Sequence, residues 1–223
     1  MATKRPVAKA KAPKASVVKV KICGLRSLDD ALAAVDAGAD ALGFNFYPAS
    51  PRYVSLKAAA DIIAKLPPFV TPVAVWVNPT LGQVREALGA CRWGALQFSG
   101  EDEDELLHSF PPDLCIQTVR LTDKRSLTAL KSLPRSAAWL VDASVKGSFG
   151  GSGKLARWDL AAAAAKLKAV ILAGGLTPEN VAEAVRTVRP YGVDTASGVE
   201  KSPGRKDAAL MQAFVRAAKN IEA

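Results

Sequence analysis

Two side chains that could move protons stand at the ends of apolar runs in this 223-residue chain. Cys23 closes the run VVKVKIC, with Lys19 and Lys21 at alternate positions before it. In a strand the side chains alternate, so Lys19, Lys21 and Cys23 share one face, and Val18, Val20 and Ile22 take the other, toward helices. A thiol beside an ammonium has a lowered pKa and becomes a usable general base. A small buried core thiol would fit the same position, and spacing alone does not separate the two. Asp142 follows the apolar and aromatic run AWLV. A carboxyl leaving a buried strand has its pKa raised, as a general acid requires; a capping or loop aspartate is the alternative.

Other segments are suited to holding an anionic ligand. Gly174 and Gly175 lie in LAGGLTPENV, and Ser197 and Gly198 in DTASGVEKSPG. Backbone N–H groups at such turns bind phosphate. The loop KGSFGGSGK (146–154) contains Gly151 and Gly153, and glycine lets a backbone approach a ligand closely. Arg52, in PASPRYVS, is held behind Pro51 and suits a carboxylate or a phosphate, although most loop arginines are only solvated. His108 is the only histidine, and Cys23, Cys91 and Cys115 are widely spaced. These counts disfavour a disulfide framework, a zinc site and a Ser-His-Asp triad, so no metal is expected. Cys91 and Cys115 read as core thiols.

What positions these residues is an alternation of short β-branched runs with Ala/Leu-rich runs. Strands are expected at 17–22, 41–46, 70–77, 94–98, 114–121, 137–142, 168–174 and 192–197. Helices are expected between them, among them one capped by Ser27 and stopped at Gly38, and one from Pro178 capped by Thr177. Strict βα alternation implies a parallel sheet, and eight such units suit a closed barrel better than an open doubly wound sheet. The expected fold is therefore α/β, a (β/α)8 TIM barrel, with its active site at the C-terminal ends of the strands. Cys23 and Asp142 both end strands, and the glycine turns follow the last two strands, a common phosphate site of such barrels.

Bulk composition agrees with one soluble domain: 49% hydrophobic, 23% charged, with no apolar run long enough to span a bilayer. The net charge of +9 is concentrated at the N-terminus, where Lys4, Arg5, Lys9, Lys11 and Lys14 face no acid. Residues 1–16 are read as a flexible basic tail and 17–223 as the catalytic barrel. The tail lacks the apolar core of a secretory signal, so the cytoplasm is expected; a basic, acid-free transit peptide is the less favoured alternative.

Taken together, KICGL (21–25), FYPASPRYV (46–54), VDAS (141–144) with GGSGK (150–154), LAGGLTPENV (172–181) and DTASGVEKSPGRKD (194–207) resemble the phosphoribosylanthranilate isomerase family. The match runs in consistent order over about 17–222. The resemblance implies a cofactor-free Amadori rearrangement of N-(5-phosphoribosyl)anthranilate in tryptophan biosynthesis. It implies Cys23 as base, Asp142 as acid, Arg52 on the anthranilate carboxylate, the glycine turns on the phosphate, and Asp194 as an assisting group. Two positions depart from the family pattern. LQFSG (96–100) has Ser99 where the family usually has histidine, and Arg157 stands where an acid is common before Trp158.

Rival readings fit less well. An indoleglycerol-phosphate synthase would favour catalytic Lys and Glu at strand ends, and a ribulose-phosphate epimerase would need metal-binding histidines. A basic tail can bind polyanions, but no aromatics are interleaved with it, so neither nucleic acid nor membrane is an expected partner. The expected partner is a small phosphorylated substrate, with the chain a monomer or a homodimer.

Overall fold

Apolar alternation sorts each strand into an outer face covered by helices and an inner face that fills the barrel. In β1 (Lys19–Cys23) the outward residues Val20 and Ile22 are fully buried under the helices, and Cys23 belongs to a separate inner cluster with Val73, Ala95, Leu140 and Ile171. The computed structural model describes residues 17–100, 104–142 and 157–220.

From β1 the chain runs through α1 (Leu28–Asp36), β2 (Ala41–Asn45), α2 (Leu56–Ile63), β3 (Thr71–Val77), α3 (Leu81–Ala90) and β4 (Ala95–Ser99). It continues through α4 (Asp104–Ser109), β5 (Cys115–Arg120), α5 (Lys124–Ala129), β6 (Ala138–Asp142), α6 (Trp158–Ala165), β7 (Val170–Ala173), α7 (Val181–Val188) and β8 (Gly192–Thr195). A small antiparallel pair, β9 (Glu200–Ser202) and β10 (Arg205–Lys206), precedes α8 (Ala208–Lys219). Strands β1 to β8 pair in sequence order, all parallel, and β8 closes on β1 with Lys21 opposite Asp194. The expected (β/α)8 TIM barrel is what the chain forms.

Local signals set most of the helix starts. Ser27 accepts from the Asp30 amide, as expected, and Thr80 and Gln83 close a reciprocal capping box on α3. Two boundaries differ from the sequence reading. The helix expected from Pro178, capped by Thr177, begins instead at Val181, because Asn180 Oδ1 accepts from the Thr177 amide while its Nδ2 donates to Gly175 O. Those bonds close residues 177–180 into a turn. The eighth strand stops at Thr195 rather than 197, because Ser197–Val199 wind into a 3-10 turn. The β9–β10 hairpin was not anticipated. Among the described residues no helix is long and apolar enough to cross a membrane.

Candidate functional site

The C-terminal rims of β4 to β8 surround a cavity of about 350 Å³. Asp142, Gly174, Gly175, Asp194 and Ser197 line it, together with Gln97, Ser99 and Thr118. Asp142 is half-buried at the last position of β6, where its register partners are Arg120 on β5 and Ala173 on β7. The barrel therefore gathers five residues singled out in the sequence around one space. Gly151 and Gly153 lie outside the described residues.

Cys23 does not line that cavity; it reaches it through an ion pair. Lys21 Nζ donates to Asp194 Oδ1 at 2.8 Å, and both side chains are nearly sealed from solvent, at 4% and 10% exposure. Lys21 also hydrogen-bonds the Cys23 thiol, and both crowd the open space above Gly43 on the neighbouring strand. Burial alone would lower the Lys21 pKa, but Asp194 and Cys23 outweigh it and hold the ammonium charged. The expected lowering of the Cys23 pKa is not what the site provides. Burial pushes the thiol above its ordinary value, Lys21 pulls it back, and the Asp194 carboxylate pushes it up again. The ammonium that was to activate Cys23 is shared with Asp194, which the sequence reading of strand 1 alone did not include. Lys21→Met is expected to destabilise the fold by about 3–5 kcal/mol, because it strands the buried Asp194 charge. Urea denaturation reads this directly, and an unchanged midpoint would show that Asp194 needs no partner.

The turn after β7 is built on two consecutive glycines with positive φ, Gly174 at 94° and Gly175 at 69°. Side chains rarely accept that backbone, so the turn needs glycine at both places. The Gly174 and Gly175 amides donate to no protein acceptor among the described residues, which leaves them available to an anion. Gly198 has a different requirement, because a Cβ there would collide with the Leu176 carbonyl oxygen and crowd Thr195 Oγ1. Thr195 Oγ1 itself donates to Leu176 O at 2.8 Å, so the turns after β7 and β8 are held together at this point. Gly198→Ala is expected to separate them, costing about 1–3 kcal/mol and weakening inhibition by inorganic phosphate. Unchanged phosphate inhibition in a folded variant would remove Gly198 from the anion site.

Arg52 lies over Gly24, one residue beyond Cys23, with its side chain filling the space a Cβ would take. It does not line the cavity. Its Nε and Nη2 donate to the two carboxylate oxygens of Glu200, at 2.8 and 2.7 Å, a fork that the sequence reading did not foresee. Glu200 also accepts from Lys206 Nζ at 2.8 Å.

The two departures from the family pattern each have a contact. Ser99 Oγ and Thr118 Oγ1 share a hydrogen bond of 2.7 Å at the cavity wall. Arg157 pairs with Asp159 and donates to the Thr122 carbonyl, tying the start of α6 to the segment after β5. Sequence reasoning missed Gln97, Thr118, Glu200 and Lys206. Gln97 sits one alternation before Ser99, so the inward face of β4 was the available signal. Its Oε1 is buried without a partner among the described residues. Among the described residues there is no cluster of three or more His, Cys, Asp or Glu side chains placed to hold a metal ion.

The model of the family described as N-(5'-phosphoribosyl)anthranilate (PRA) isomerase matches residues 20–217. N-(5'-phosphoribosyl)anthranilate isomerase of Geobacter metallireducens is 48% identical over 210 residues, covering 91% of this chain and 100% of the relative. The crystal structure of the phosphoribosyl anthranilate isomerase of Thermotoga maritima superposes with a TM-score of 0.83 at 38% identity, covering 91% of this chain and 98% of that one. A second crystal structure, of such an isomerase in complex with reduced 1-(o-carboxyphenylamino)-1-deoxyribulose 5-phosphate, has a TM-score of 0.80 at 36% identity over the same shares.

Proposed function

The chain belongs to the N-(5'-phosphoribosyl)anthranilate isomerase family, and from that premise we propose that Cys23 is its general base and Asp142 its general acid. It is an isomerase of tryptophan biosynthesis acting on a phosphorylated sugar. The reaction is the rearrangement of N-(5'-phosphoribosyl)anthranilate to 1-(2-carboxyphenylamino)-1-deoxyribulose 5-phosphate.

Asp142 gives its proton to the furanose ring oxygen. The bond from that oxygen to C1′ breaks, and the anthranilate nitrogen supplies the electron pair for a protonated Schiff base. The Cys23 thiolate then takes the C2′ proton. The electrons left behind form the C1′–C2′ double bond of an enolamine, and the imine pair returns to nitrogen. Protonation at C1′ and loss of the C2′ hydroxyl proton give the ketone. Nothing is gained or lost overall, so one acid and one base suffice and no cofactor is called for. Positioning at both ends of the substrate serves this chemistry. The turns at Gly174, Gly175, Ser197 and Gly198 take the phosphate, and Gly151 and Gly153 are assigned to substrate binding. Arg52 takes the anthranilate carboxylate, and Asp194 assists through Lys21.

The observation that carries this reading is the meeting of Asp142, the tandem-glycine turn and Asp194 around one cavity, with Cys23 one ion pair away. The experiment is steady-state turnover of N-(5'-phosphoribosyl)anthranilate across pH. Cys23 must lose its proton to act, and its pKa lies above the ordinary 9.0. A thiol at the ordinary value is only about 1% thiolate at pH 7. The break in kcat/KM set by Cys23 ionisation therefore lies above neutrality, and Lys21→Met moves it to higher pH. A break unmoved by Lys21→Met and still present in Cys23→Ala would remove the assignment of Cys23 as base.

The basic tail, residues 1–16, lies outside this chemistry, and the enzyme works as a cytoplasmic monomer or homodimer on a small molecule. Deleting the tail is expected to leave kcat/KM unchanged within about twofold; a larger loss would give the tail a part in turnover.

A further inference from the structure

We propose that Glu200 is a positioning residue that sets the direction in which Arg52 meets the substrate carboxylate. The proposal rests on the reading of Arg52 above and adds what aims it.

A guanidinium is a rigid planar fork with two usable edges. Glu200 occupies one of them, taking Nε at 2.8 Å and Nη2 at 2.7 Å. The edge formed by Nη1 and Nη2 is left, and Nη1 donates to no partner among the described residues. With one edge pinned, the direction of the other is fixed. Arg52 keeps 23% of its side-chain exposure while Glu200 is reduced to 4%, so the pinned edge is the buried one. The hydrocarbon stem is pressed against Gly24, which fixes the other end of the side chain beside Cys23.

Glu200 is itself held. Its Oε1 also accepts from Lys206 Nζ at 2.8 Å, and that fully buried ammonium donates in addition to Ala196 O at 2.8 Å. Burial alone would raise the Glu200 pKa, but the hydrogen bonds from Arg52 and Lys206 outweigh it and keep the carboxylate below its ordinary value. The trio of Arg52, Glu200 and Lys206 carries a net charge of one positive unit, which matches one ligand carboxylate. Glu200 directly follows the turn Ser197–Val199, so the same backbone segment aims the carboxylate end and holds the phosphate end. A long arginine left free would have to be ordered on binding, and the clamp makes that ordering part of the fold.

The test uses Glu200→Gln in the full chain, with anthranilate and inorganic phosphate as separate competitive inhibitors. If Glu200 aims Arg52, the anthranilate inhibition constant and the substrate KM rise about tenfold to a hundredfold. Phosphate inhibition and kcat then stay within about twofold of wild type. In an Arg52→Met background, adding Glu200→Gln produces no further loss of anthranilate inhibition. If Glu200→Gln does not fold, Glu200→Asp, which keeps the charge and withdraws it by one methylene, is expected to show the same split. Parallel weakening of anthranilate and phosphate would mean that Glu200 only braces the β9–β10 hairpin, and would overturn the proposal. So would unchanged anthranilate inhibition in a folded variant. Wild type that is not inhibited by anthranilate would remove the Arg52 reading itself, and this inference with it.

Discussion

Cys23→Ala is expected to lose about 10²–10⁴-fold in kcat/KM, the usual contribution of a general base. The loss belongs in kcat, since the thiol binds neither end of the substrate. The fold is expected to persist, because alanine keeps Cβ and removes one atom from the inner barrel cluster. Cys23→Ser gives a sharper result. A hydroxyl occupies the same space but does not ionise in the working range, so serine is expected to be nearly as inactive as alanine. The basic limb of the pH profile disappears in both variants. A serine variant with substantial turnover would mean that this position serves packing or hydrogen bonding.

Asp142→Asn is expected to cost a similar factor, about 10²–10⁴ in kcat/KM, through a different step. An amide retains the shape and can still donate a hydrogen bond, but it has no proton to release to the ring oxygen. Ring opening then becomes slow while Cys23 remains able to act. Asp142→Glu retains the acid on a longer arm, so it is expected to recover part of the activity that asparagine loses. Asp142 stands at the final residue of β6, where the strand fixes its backbone and the chain has just left the barrel. Equal activity of Asn and wild type would move the acid elsewhere in the cavity, with Asp194 the next carboxylate on its wall.

The architecture was legible because each strand and each helix carried its own period. Val20 and Ile22 pointing one way and Cys23 the other is an alternation the sequence displays directly, and the barrel kept it. The rims were legible because glycine at 174 and 175 answers a backbone need that other residues rarely meet. Charges that pair between elements far apart in the sequence were harder to read. Lys21 and Asp194 are 173 positions apart, so the sharing of one ammonium between Asp194 and Cys23 appears only once β8 closes on β1. Burial of the thiol inside the barrel is the largest cause of its raised pKa, and the Asp194 carboxylate adds to it. Glu200 was hidden in the same way, since its partner Arg52 is 148 positions distant. Asn180 was missed for a local reason, because its side chain bonds the Thr177 amide and the Gly175 carbonyl and so closes a turn ahead of the helix.

The most direct measurement follows conversion of N-(5'-phosphoribosyl)anthranilate by the purified chain after treatment with a chelator, with Cys23→Ala and Asp142→Asn alongside. The account predicts that the wild type converts the substrate at a rate the chelator does not change. It predicts that each variant, with wild-type circular dichroism, converts it at least about a hundredfold more slowly. Failure of the wild type to convert it, or a folded variant within about tenfold of the wild type, would contradict the account.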